Sequence, residues 1–227
     1  MKAIKNFLIF TGLLILDLVY SSLAVVLLSK IGLNINTLNA YKKSLILIII
    51  ELTFMLILYL IYQKELHKEF IKYIKNFGKY FIFGFKWWFI GLVIMSISNI
   101  IIGCFYEQSA NEVAVQSIFK QMPLYMLFAS CIAAPFCEEI IFRKSLRKWC
   151  SIDIVFILLS GLIFGGLHVL AGINQAGQLL YIIPYSTFGF IFGYMYVKTK
   201  NIFVSMTFHF IHNSILSLVA LYQLGVF

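Results

Sequence analysis

The chain has 227 residues, 62% of them hydrophobic and 12% charged, against about a half and a quarter in soluble domains. That composition excludes a water-soluble fold and leaves no room for a separate soluble domain. The net charge of +9 comes almost wholly from lysines at the ends of apolar runs, a pattern that orients a membrane protein and does not suit nucleic acid. A hydrocarbon core of about 30 Å needs about 20 apolar residues per helical crossing, so the chain can make roughly seven or eight. The fold class is therefore all-α: a polytopic membrane helix bundle in one transmembrane domain, 1–227, in a cell membrane. Within it, 1–120 supplies N-terminal helices and an amphipathic segment, and 121–227 supplies core helices.

The predicted crossings are Phe7 to Leu28, Ser44 to Tyr62, Trp87 to Tyr106, Leu124 to Trp149, Ile152 to Leu170, Leu179 to Val197 and Ile202 to Leu224. In the first, Ser22-Leu23-Ala24 faintly resembles a signal-peptidase site, but the apolar run continues to Leu28, so the stretch reads as an uncleaved helix. Between the second and third lies Gln63 to Lys79, where five lysines alternate with Phe70, Ile71, Tyr73 and Ile74. It reads as an amphipathic interfacial helix or a basic cytoplasmic loop. The polar segment Glu107 to Gln121 reads as an external helix or cap without chemistry of its own. Lysine and arginine fall mainly on alternate connections, thirteen against four, which places the N-terminus in the cytoplasm. The third outer loop has no charge. Gly161 to Gly165 and Gly189 to Gly193 are small-residue stripes of the kind that let membrane helices pack closely. No CxxC pair occurs, and Cys104, Cys131, Cys137 and Cys150 read as small fillers and not as a disulfide framework.

Ionisable groups inside hydrocarbon cost several kcal/mol, on the order of the value of a whole binding contact, and are functional candidates by default. Here they cluster. Pro135-Phe136-Cys137-Glu138-Glu139-Ile140-Ile141-Phe142-Arg143 puts two acids and an arginine in one apolar helix. Glu139 and Arg143, at i and i+4, share a face and can pair, whereas Glu138 points about 100° away and has no local partner. A carboxylate not committed to a cation is free to take a proton from water, so Glu138 is the general-base candidate. The next crossing supplies His168, and the last supplies His209 and Asn213, again at i and i+4. A base, a water-positioning imidazole and two donors for a developing oxyanion are the parts needed to hydrolyse an amide with activated water. Helical rise puts Glu138, His209 and Asn213 roughly 10–16 Å from the basic ends of their helices but His168 roughly 24 Å away. No HExxH zinc motif, serine-hydrolase motif or paired-aspartate motif is present. Asp17 and Glu51 have no partner motif and read as structural hydrogen-bonding groups.

Glu138-Glu139-xxx-Arg143, Phe164-xxx-His168 and His209-xxx-Asn213-Ser214, in that order on three apolar segments, closely resemble the CAAX-protease and bacteriocin-processing (CPBP, or Abi) family of intramembrane endopeptidases. The resemblance covers Pro135 to Ser214. It implies a core of four helices around a cavity, with Glu138 activating water helped by His168, His209 and Asn213 stabilising the oxyanion, and Glu139 with Arg143 supporting them. His212, next to Asn213, is a departure that could stand in for His209. No cofactor is expected; a zinc ion, if there were one, would take Glu138, His168 and His209. The expected function is intramembrane cleavage of a membrane-associated peptide or protein, near the cytoplasmic half of the bilayer. Bacteriocin, pheromone or quorum-peptide processing and self-immunity all suit the family. The alternatives are a non-catalytic scaffold or immunity protein that binds a toxin or sensor kinase, and a proton-coupled transporter.

Overall fold

The computed structural model describes residues 1–170 and 176–225. Among them every regular element is helical. In chain order these are α1 (Lys2–Lys30), α2 (Ala40–Lys75), α3 (Phe77–Gly103), the short α4 (Ala110–Gln121), α5 (Pro123–Trp149), α6 (Asp153–Leu170), α7 (Ile182–Thr199), entered through a 3-10 turn at Ala176–Tyr181, and α8 (Ile202–Gln223). All but α4 are long and apolar enough to cross a membrane. Each expected crossing therefore exists, and the helices overrun several of the sequence boundaries. Residues 171–175, part of what the sequence reads as the third outer loop, lie outside the described residues.

Gln63 to Lys79 is helical and not a loop. It is the end of α2 and the start of α3, with Asn76 at the junction. Its polarity serves packing against other polar chain ends. Lys144, 3% exposed, pairs with Glu69 and also lies 3.2 Å from Glu65. Glu69 in turn accepts the Ile202 N–H at 2.7 Å and so caps α8. Asn6 donates to the Lys148 carbonyl, and the Phe7 ring packs against Trp149 in a tilted pair at 4.9 Å. The starts of α1, α3, α6 and α8 and the ends of α2, α5 and α7 thus share one basic end of the bundle.

α6 and α7 pack along most of their length, and the small-residue stripes explain how. A Cβ at Gly189 would sit 2.7 Å from the Gly161 Cα, and one at Gly165 would run into Ser186. The two backbones touch because no side chain intervenes. Gly189→Ile is expected to force the pair apart and abolish recovery of monodisperse protein from detergent. Gly12→Ile on α1, where nothing lies within 4 Å, should leave the yield unchanged.

The four cysteines are free thiols. Glu51 accepts from Ser21 at 2.8 Å and from Tyr125 at 3.4 Å, which ties α2 to α1 and α5.

Candidate active site

The local sequence of α5 shapes the site. The helix widens into π-turns at Ala129–Ala133 and Ile140–Ser145, on either side of Ala134–Glu139. Such turns often occur at functional sites. In the first, the Ala134 N–H reaches back to the Ala129 carbonyl, so the register would next pair Ser130 with residue 135. That residue is Pro135, which has no N–H. The orphaned Ser130 carbonyl is taken by Asn213, whose Nδ2 donates to it at 2.8 Å. A missing donor on α5 thus positions a carboxamide on α8, and the second Nδ2 hydrogen is left over.

The adjacent glutamates part company as the sequence indicates. Glu139 and Arg143 have fully buried side chains, 0% exposed, and face each other at 3.2 Å. Arg143 also donates to Ser160 on α6 at 2.6 Å and lies between the rings of Phe164 and Phe192, at 5.6 and 5.9 Å. Glu139 holds a second partner, His209 Nδ1, at 3.1 Å. A carboxylate only accepts, so the shared proton belongs to Nδ1, an assignment made from the partner. The opposite nitrogen, Nε2, then faces Glu138 Oε2 at 3.7 Å, too far for a direct hydrogen bond. The Glu138 side chain is 18% exposed and its Oε2 has no hydrogen-bond partner on the protein. Glu139 is thus locked, and Glu138 opens into a cavity.

That cavity, of about 910 Å³, is lined by Glu138, His168, His209, His212 and Asn213 and closed on one side by Phe164, Phe188 and Phe192. His168 is part of it despite its depth. α5 and α6 run antiparallel, and helical side chains lean toward their own N-termini, so the tips of Glu138 and His168 lean toward one another. His168 Nδ1 donates to the Phe164 carbonyl at 2.8 Å, and its ring stacks on Tyr185 at 5.1 Å. This leaves Nε2 as an acceptor. No hydrogen bond or ion pair joins His168 to Glu138. His212 lies against the Phe188 ring at 3.8 Å, so it is His209 that meets the two glutamates.

The cavity leads away from the basic end. Its far wall is built by Tyr106 to Glu112, Gln116 and Gln223, so α4 covers the site instead of standing apart from it. Tyr185, which had no sequence signal, joins the layers: its hydroxyl lies 2.9 Å from Ser109 Oγ and accepts from Asn111 at 3.1 Å while its ring supports His168.

Residues 120–215 match the family described as Type II CAAX prenyl endopeptidase Rce1-like. Over those residues the chain is similar to the CPBP family. Two curated relatives align with 51% of it: a Bacillus subtilis (strain 168) protein titled "Putative membrane peptidase YdiL", 30% identical over 118 residues, and an uncharacterised protein of Mycoplasma capricolum, 28% identical over 121. The alignments cover 45% and 34% of those proteins, so the chain spans less than half the length of either. No solved structure matches significantly. The family match takes in α5 through most of α8, the helices that carry all six polar residues of the cluster.

The donor set does not fit the zinc site that the three residue types suggest. Glu138 and His209 approach to 3.7 Å, no ion pair joins His168 to Glu138, and among the described residues no three His, Cys, Asp or Glu side chains form a group suited to a metal ion.

Proposed function

We propose that this chain is an intramembrane endopeptidase of the CPBP type, in which Glu138 activates a water molecule for attack on a peptide bond. The observation that carries the reading is the division of labour between neighbours: Glu139 is fully buried and fixed by Arg143 and His209, while Glu138 lines a cavity, is 18% exposed and has an oxygen with no hydrogen bond on the protein. At 3.7 Å, Glu138 Oε2 and His209 Nε2 are too far apart for a direct hydrogen bond.

In the proposed reaction Glu138 takes a proton from that water as its oxygen bonds to the amide carbon. His168 Nε2 accepts from the same water or from the substrate and orients it. Charge moves onto the carbonyl oxygen, toward the free Nδ2 hydrogen of Asn213 and a proton on His209 Nε2. When the tetrahedral species collapses, the C–N bond breaks and Glu138 returns its proton to the leaving nitrogen. No step calls for a metal.

Asn213→Ala is expected to lower kcat by about 10²–10³ with little change in KM, the loss typical of one oxyanion donor. Comparative membrane peptidomics of cells carrying the wild type or Glu138→Gln tests the function. Peptides that accumulate uncut only in the variant are expected; identical peptidomes with a retained phenotype would point to a scaffold instead.

A further inference from the structure

On the reading that the cavity hydrolyses peptides, we infer that it is served from the extracytoplasmic face. Its substrate is then a peptide exported across the membrane or the outer flank of a membrane-anchored segment, and not a cytoplasmic chain end.

Two independent observations lead there. The first is which end of the site is closed. Between the catalytic cluster and the basic end, Glu139, Ile140, Ile141, Arg143 and Leu146 of α5 are all 0% exposed, as are Ile202, Val204 and Ser205 of α8. At protein packing density this is a solid plug, with no route for a peptide. In the other direction the cavity continues from Glu138 past His168 and Tyr185 to Glu107, Gln108 and Gln223, which are exposed.

The second is the charge of the two ends. Lys2, Lys5, the five lysines of Gln63 to Lys79, Arg143 to Lys148, Lys198 and Lys200 all belong to the plugged end. The open end has only Lys30, Lys42, Lys43 and Lys120. Lysine and arginine next to membrane helices stay in the cytoplasm. The plug therefore faces the cytoplasm and the opening faces out, which reverses the expectation of a site serving the cytoplasmic half of the bilayer. Glu138 itself, roughly 16 Å from Trp149, sits near mid-membrane and is compatible with either face by depth alone. The lining adds a chemical preference. It includes Glu107 and Glu112 and no lysine or arginine, so a basic flank beside the scissile bond is favoured over an acidic one.

Spheroplasts expressing the full chain test the opening without reference to activity. Cys104 is exposed at the open end. With Cys150→Ser, it should be shifted by a membrane-impermeant polyethylene glycol maleimide of about 5 kDa, too large to enter the cavity and reach the buried Cys131 and Cys137. Lys75→Cys at the plugged end, in a Cys104→Ser, Cys150→Ser background, should react only after permeabilisation. An N-terminal epitope on the otherwise unaltered chain gives the same reading, with antibody binding only after permeabilisation. The opposite pattern overturns the inference. In the peptidomic comparison, cuts on the outer flanks of membrane segments, with lysine or arginine nearby, support it, and cuts on cytoplasmic flanks overturn it. Peptidomes that do not differ would instead count against the peptidase reading, and the labelling would still decide which face is open.

Discussion

Arg143→Met should lower the stability of the folded protein by about 3–5 kcal/mol, the cost of leaving a buried charge without its partner. Among the described residues Arg143 is the largest fully buried side chain, and it answers Glu139, Ser160 and two aromatic faces at once. Removing it strands Glu139 in an apolar surround with only His209 to pair. The double variant Glu139→Gln, Arg143→Met removes both charges and should recover a large part of the loss, because packing without ions is tolerated where half an ion pair is not. Thermal unfolding in detergent, followed by loss of monodisperse protein, measures both. A double variant no more stable than the single one would show that Arg143 acts through its bulk and not its charge.

The seven crossings were readable because a membrane helix must be long and apolar, and little else in a sequence has that signature. The cluster was readable for the complementary reason: Glu138, Glu139, Arg143, His168, His209 and Asn213 break an apolar background where each break is costly. The i, i+4 spacing separated Glu139 from Glu138, and the structure draws the same line by exposure.

What could not be read depended on long-range contacts. Tyr185 looks like any membrane tyrosine until α4 brings Ser109 and Asn111 to its hydroxyl. Helix directions make the depth of His168 intelligible, since antiparallel neighbours lean toward each other and a count of residues along one helix contains no such lean. Gln63 to Lys79 could be read as a helix or a loop because its partners, Lys144, Lys148 and the α8 terminus, are about 75 or more residues distant. One missed feature did leave a local mark. Pro135 lies five residues after Ser130, the spacing at which a π-turn loses a donor, and that vacancy is what Asn213 fills.

Glu138→Gln is the substitution with the largest expected effect on chemistry. Glutamine keeps the shape and the cavity contacts but cannot take a proton, so the loss isolates general-base action, which is typically worth about 10²–10⁴ in rate. Stability is measured alongside, since Glu138 Oε2 makes no hydrogen bond on the protein but lies 3.7 Å from His209 Nε2 in a buried charge cluster. The most direct measurement is therefore the single-turnover cleavage rate of a substrate found by peptidomics, compared between wild type and Glu138→Gln at matched unfolding temperature. A fall of about 10²–10⁴ with unchanged substrate binding is expected. Cleavage at the wild-type rate by the folded variant would contradict the assignment of Glu138 as the base that activates water.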